Sequence, residues 1–394
     1  MAAQSGRQQR WPSAGTMLAL TDSLTKGADQ GASAQKPRGF FMTRSLQYRI
    51  WITAAVVAFP LSSLFAVDII TKKSDGKRVN GNISAMSKTE LTLKRNVGEP
   101  ELVSANDIAA IEWEGGGAEL KSGYSDENGG RYDSATQRFL KAKADAKSPS
   151  DFLRGEFDYL LARVAGKQAL ADPEKREQAI QKLVAAAKVY PDHVRFYESV
   201  QILSQIQLAS KDFTGARQAI AQLAQAPWSD LKLAAQIAEA RVLVAEGKID
   251  EAITGFDAVA TAAGDSPAEA SRKYEAMLGH ARGLVLQSKF DEALNLLEIV
   301  TEKGAADDGP IQAEAYALQG QAFQGLGRTK EAALAYLHVD ILFPRESAYH
   351  AEALYQMSNL WKLVQHPDRS AEAAGKLVQL YPNSEWRKKL GGGE

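Results

Sequence analysis

The chain has five histidines, and they are the first residues to weigh as chemistry: His193, His280, His338, His350 and His366. A helical metal pair needs ligands at i and i+4 on one face. No two of these histidines have that spacing. They are expected to be solvated or to cap helices, with no metal and no cofactor. Cysteine is absent, which removes thiolate ligands, thiol nucleophiles and disulfides. No Gly-x-Ser-x-Gly elbow presents a serine. The adjacent carboxylates Asp250-Glu251 and Asp291-Glu292 recur, but acid–base work needs two carboxyls facing each other across a cleft. Neighbouring residues at a helix start instead complement the helix dipole. Gly115-Gly116-Gly117 lacks the lysine and Ser/Thr of a phosphate loop. The chain is therefore read as a non-enzyme without a small-molecule substrate.

Composition narrows the partners. Residues 1–66 hold seven Lys/Arg and two Asp/Glu, while the remaining 328 hold 40 and 46. A mildly acidic body without a basic run gives no footprint for nucleic acid. The one strongly apolar run, 50–66 (IWITAAVVAFPLSSLFA), follows the basic segment MTRSLQYR at 42–49. It is shorter than the roughly 20 residues of a membrane-spanning helix. Basic start, apolar middle and a small terminal residue read as a signal peptide over 42–66. Residues 1–41 are then a mis-called or disordered extension. The body is expected in the periplasm or cell envelope, with membrane contact only if 50–66 stays uncleaved.

Two patterns follow. Over 67–114 the apolar residues alternate: Val67, Ile69, Thr71; Val79, Gly81, Ile83, Ala85; Thr89, Leu91, Leu93. Period two with turns at Asp75-Gly76 and 96–100 predicts four or five short strands, a small barrel or curled sheet. The run DGKRVNGNISAMSKTELTLKR resembles small SH3-like or Sm-like barrels, in which a glycine lets the second strand bend. Residues 115–130, with Gly115-Gly116-Gly117 and Gly129-Gly130, read as a linker. From Arg131 the period becomes 3.6, and a short phrase recurs before an alanine: KDFTGA, GKIDEA, SKFDEA, GRTKEA. Ala135, Ala179, Ala216, Ala252, Ala293, Ala332 and Ala371 are separated by 44, 37, 36, 41, 39 and 39 residues. Such a period marks a solenoid.

The stretch AEAYALQGQAFQGLGRTKEAALAYLHVDILFP (313–344) resembles a tetratricopeptide repeat, with Tyr316, Gly320, Phe323, Gly327, Ala332, Tyr336, Leu342 and Pro344 at the signature positions. The resemblance extends over 131–382 as five repeats and a leading half-repeat. A long loop is expected at 166–173, Ser370 stands at the last nominal alanine, and 383–394 forms a capping helix and tail. It implies a mainly α, right-handed superhelix behind the small β domain. Such a superhelix would hold a protein or peptide partner in its concave face. Other readings are an accessory subunit of an envelope enzyme, or a tethered structural protein. In the family the residue after the small crossing residue of each first helix faces the groove. Here that gives Gln205, Arg241, Arg282, Gln321 and Asn359. These five either bond neighbouring helices or form a row of donors for an extended or acidic segment of a partner.

Overall fold

The computed structural model describes residues 67–391 except 96 and 307. The expected extension and signal peptide at 1–66 lie outside the described residues.

Five strands come first: β1 (Asp68–Lys72), β2 (Arg78–Met86), β3 (Glu90–Lys94), β4 (Glu101–Ser104) and β5 (Ile108–Glu112). They form one antiparallel sheet in the order β4-β3-β2-β1-β5. The sheet is curled but open, since β4 and β5 are its two edges. The bend sits in β2, whose first half pairs with β1 and whose second half pairs with β3. Gly81 stands at that changeover. A Cβ there would lie 2.8 Å from the Lys94 carbonyl oxygen, so only glycine lets the strands approach. Asp68 ties the curl together by accepting from the Ile83 and Glu114 amides at 3.0 and 2.8 Å. In β1 the buried positions are Asp68 and Ile70, the opposite phase to Val67, Ile69 and Thr71.

The expected linker contains a helix instead. Residues 117–128 form α1 (Gly117–Asn128), which pairs with α2 (Tyr132–Asp145). Only the flanking glycines are irregular, and a Cβ on Gly123 would collide with the Phe139 ring at 2.4 Å. That close approach makes α1 the partner of α2, so the expected half-repeat is a whole hairpin. Leu120 and Phe139 share one apolar core with Ile70, Leu91, Leu93 and Ile111 of the sheet. Sheet and first hairpins therefore fold against each other, not as beads on a tether.

Six more hairpins follow: α3 (Asp151–Ala171) with α4 (Arg176–Val189), α5 (Phe196–Ala209) with α6 (Phe213–Leu223), α7 (Ser229–Ala245) with α8 (Ile249–Ala262), α9 (Pro267–Leu286) with α10 (Phe290–Lys303), α11 (Gly309–Gly325) with α12 (Thr329–Leu342), and α13 (Ser347–Leu363) with α14 (Pro367–Leu380). A short α15 (Glu385–Leu390) ends the series, with Ser384 accepting from the Arg387 amide at 3.1 Å. Where a loop was expected at 166–173, α3 runs on to Ala171. Gly166 permits this because Ile202 of α5 packs where its Cβ would be.

The alanine period is the packing period. Ala135, Ala179, Ala216, Ala252, Ala293 and Ala332 are each 0% exposed, while Ser370, not Ala371, takes the place in the last hairpin. Four and seven residues further on, second helices bury larger groups, such as Phe256 and Val259 or Tyr336 and Val339. That is one apolar stripe per helix. The first helices answer with buried Ser204, Ala240, Ala281, Gly320 and Ser358. Ser370 Oγ donates to the Ser358 carbonyl at 2.6 Å, satisfying a hydroxyl where other hairpins bring methyl groups together.

The turn inside a hairpin also repeats. Lys211, Gly247, Ser288, Gly327 and Gln365 have φ of 60, 82, 61, 70 and 63°. The next amide returns to the carbonyl five residues earlier, as Lys289 does to Leu284 at 2.9 Å. A left-handed non-glycine residue costs about 1 kcal/mol or more. Ser288→Gly is therefore expected to raise stability by about 0.5–1 kcal/mol, as read from chemical denaturation midpoints.

From α3 on, consecutive first helices pack on one another and form the inner wall, and α13 also packs on α3. Near that return, Arg176 reaches Glu385 at 3.5 Å and Asn383 reaches Asp172 at 3.4 Å. The solenoid curls until its last hairpin meets its second.

Candidate protein-binding face

All five expected donors lie half-buried on the first helices, the inner wall of the solenoid. Three of them are already engaged by neighbouring hairpins. Arg241 on α7 donates to Glu275 on α9 at 2.9 Å, and Arg282 on α9 donates to Glu314 on α11 at 2.9 Å. Gln321 on α11 donates to Glu352 on α13 at 2.6 Å. Asn359 donates within its own helix, to the Tyr355 carbonyl at 3.3 Å. Arg241, Arg282 and Gln321 thus follow the first of the two readings, bonding neighbouring helices. Each is matched by a glutamate, and removing both arginines would leave Glu275 with only Arg272 and Glu314 with only the Tyr349 hydroxyl.

The acceptors obey a rule of their own. Glu275, Glu314 and Glu352 stand six residues before the small crossing residues Ala281, Gly320 and Ser358. The same offset before Ala162 gives Glu156, and before Ser204 gives Glu198. Donors one residue after the small position meet these glutamates in the following hairpin. Tyr124, after Gly123, donates to Glu156 at 2.6 Å. Arg163, after Ala162, donates to Glu198 at 3.2 Å. The inner wall thus carries a ladder in which each rung joins hairpin n to hairpin n+1. One rung is missing. Six residues before Ala240 stands Ala234, so Gln205 finds no glutamate on α7.

Charge is densest at the two ends of the ladder. At one end Arg163 grips Glu127 bidentately at 2.7 and 2.6 Å, and Lys167 adds a third contact at 2.9 Å. Beside them Arg195 donates to Glu156 at 3.1 and 3.3 Å. Burial alone would raise the Glu156 acid. Arg195 and His193 outweigh it and hold the carboxyl at about 2. Burial pushes His193 below its ordinary value, with Glu156 opposing. Toward the other end Glu314 accepts from Arg282 and from the Tyr349 hydroxyl, the latter at 2.7 Å. The two arginines beside it overcome its burial and keep it ionised. Glu352, with only Gln321 donating to it, is instead raised by burial.

Two histidines depart from the expectation of solvated or capping roles. His193 and His350 are buried, and His350 bridges the Tyr381 hydroxyl and Asp340, each at 2.9 Å. Their carboxylate partners come from other elements, so no spacing on one helix reveals them. His280 also meets a carboxylate, Asp257 of α8 at 2.6 Å. Asp250-Glu251 and Asp291-Glu292 lie in the first turns of α8 and α10, as dipole complementarity requires. Among the described residues, no group of three His, Asp or Glu could hold a metal ion. No described helix is long and apolar enough to cross a membrane.

The sheet bridges the junction where the rung is missing. Trp228 Nε1, just before α7, donates to Ser104 Oγ at 3.0 Å, and Asn106 donates to Asp230 at 2.9 Å. Lys88 places its ammonium 5.2 Å from the Phe196 ring of α5. A cleft of about 860 Å³ opens between β5 and the inner faces of α1, α3, α5, α7 and α9.

No protein-family model matches the chain, and no curated protein matches it. Solved structures do. A tetratricopeptide repeat protein from Parabacteroides merdae is 16% identical, covering 69% of this chain and 95% of its own with a TM-score of 0.43. A Rap protein complexed with competence and sporulation factor is 14% identical over 70% and 75%, TM-score 0.49. PilW, a type IV pilus biogenesis factor, is 16% identical over 60% and 98%, TM-score 0.39. The helix packing itself defines the class. The chain is a mainly α hairpin solenoid of the tetratricopeptide type, preceded by a small, open antiparallel sheet.

Proposed function

We propose that the protein is a non-catalytic scaffold of the cell envelope that holds a protein or peptide partner against the inner wall of its solenoid. The observation that carries this reading is the ladder. It joins α1, α3 and α5 in one run and α7, α9, α11 and α13 in another, giving the inside of the curl a rigid polar surface. A surface of that kind presents a fixed array to a partner and spares it the entropy of ordering loops. Perturbed carboxylates often mark catalysis. Glu156, however, is fully buried and accepts from Tyr124 and Arg195, so neither oxygen is available to a substrate. The wall's strongest electrostatics serve rigidity.

The test is site-specific photocrosslinking in cells. A crosslinking side chain at Gln201 or Asn128, on the inner wall, is expected to trap a defined protein. One at Leu334 or Val184, exposed on second helices, is expected to trap none. Partners trapped only from the outer positions would overturn the reading. Export is tested separately: amino-terminal sequencing of the envelope fraction is expected to begin near Val67, and recovery of a chain starting at Met1 from the cytosol would refute it.

A further inference from the structure

A partner segment with no free end nearby cannot thread a closed curl; it must enter from the side. We propose that the solenoid is a clasp of two arms, hinged between α5 and α7, whose far ends part between α4 and α15 to admit a partner. The first arm comprises the sheet and α1–α6, the second α7–α15. Side entry rests on the scaffold reading, whereas the hinge is a property of this chain alone.

Each arm is stiffened by the same means. Rungs of 2.6–3.2 Å join α1 to α3 and α3 to α5, and again α7 to α9, α9 to α11 and α11 to α13. Between α5 and α7 the rung is absent, and of the successive first helices from α3 on these two touch least. The outer layer stays joined at the same place. Leu223 of α6 and Val242 of α7 lie in one apolar core. Arg217 of α6 also donates to Glu239 of α7 and to Glu246 just beyond it, at 2.9 and 2.6 Å. A joint pinned along α6 and free along α5 bends so as to open its inner face. The sheet's hydrogen bonds to the second arm fall at Trp228 and Asp230, beside this pivot, where movement is smallest.

The far ends of the arms meet differently. Among the described residues no cluster of buried apolar side chains includes members of both α2–α4 and α12–α15. The polar contacts across this seam are long, and each has an exposed member. Asn383 donates to Asp172 at 3.4 Å, Arg176 meets Glu385 at 3.5 Å and Lys388 meets Glu174 at 3.7 Å. Exposed pairs of this kind contribute little and weaken with salt. The seam holds without locking.

The chain has no cysteine, so spin labels can be placed at chosen sites on the full-length protein. Gln181→Cys on α4 with Gln379→Cys on α14 spans the seam, and Glu251→Cys on α8 with Gln379→Cys lies within one arm; all three sites are exposed. Double electron–electron resonance reads both distances as salt rises from about 0.01 M to about 1 M, shortening the screening length from ~30 to ~3 Å. The seam pair is expected to gain a longer population that grows several-fold, while the pair within the arm stays unchanged. Glu385→Lys, which sets like charges together at Arg176, should enlarge that population already at low salt. Bridging Asp172→Cys to Asn383→Cys through a short bis-methanethiosulfonate linker should remove it. The bridge should also cut photocrosslinking from Gln201 in a cell extract several-fold, and reductant should restore it. A single seam distance at every salt concentration would overturn the clasp. So would equal broadening of both pairs, the mark of a spring that bends at every hairpin. Unchanged crosslinking through the bridge would overturn side entry and leave the scaffold standing. No crosslink from Gln201 even without the bridge would overturn the scaffold and side entry together, and the seam distances still decide the hinge.

Discussion

Glu156→Ala is expected to lower stability by about 3–5 kcal/mol, the largest effect of any single change in the ladder. Removing one member of a buried, hydrogen-bonded ion pair leaves the other charge desolvated and unpaired. Here Arg195 would retain only Glu198 at 3.5 Å, and the buried Tyr124 hydroxyl would lose its acceptor. The pair need not be favourable overall relative to an apolar replacement. The double variant Glu156→Ala with Arg195→Met should therefore recover a good part of the loss, and urea titration of the three proteins measures it. The damage should be local. Glu156 connects α1, α3 and the turn before α5, so hydrogen exchange should quicken in the sheet and first three hairpins before it does in α11–α14. Uniform loosening along the whole chain would contradict the nearest-neighbour picture.

Acid is expected to undo the same end of the molecule. Glu156 has its carboxyl at about 2 in the fold, below its ordinary 4.5. A depressed carboxylate contributes stability that is complete above the unfolded value and disappears as pH falls toward the folded one. The loss amounts to roughly 3 kcal/mol between about pH 5 and pH 2. His193 acts in the same direction at milder pH. Its folded value lies below 6.5, so the unfolded chain takes up the proton first and stability begins to fall on acidification through that range. Denaturation midpoints from pH 7 to pH 3 should decline in two stages. Glu156→Gln should shrink the lower stage, to which Glu198, Glu275 and Glu314 also contribute, and His193→Phe should remove the upper. A midpoint that stays level over this range would refute both assignments.

Much of the architecture was legible because it depends on local rules. The alanine interval marks helix crossings, which tolerate nothing larger than alanine or serine, and every anchor but Ala371, whose place Ser370 takes, is buried as that requires. Gly81 could be read as the bend of β2 because an alternating strand has no other reason to give up a side chain. The glycines at 115–117 and 129–130 misled. They resemble a linker, yet they flank a helix whose place is decided by Phe139 packing over Gly123, a contact that composition does not reveal.

The row of donors was also visible, and its glutamates were not, for a geometric reason. A residue six before another lies about 120° away on the same helix, so no periodicity links the two. The contact is made 31 to 35 residues along the chain, on the next hairpin. Sequence by itself determined the repeat unit, its helical pairs, the bend of the sheet and the lack of any motif for bound metal or nucleophilic chemistry. Each of those follows from side-chain size, backbone freedom or spacing within one element. Only the tertiary structure decided that the donors are matched, that one rung is absent at Ala234, and that the sheet bridges that place. These depend on which hairpins become neighbours, and superhelical curvature sets that relation as the sum of many small packing angles.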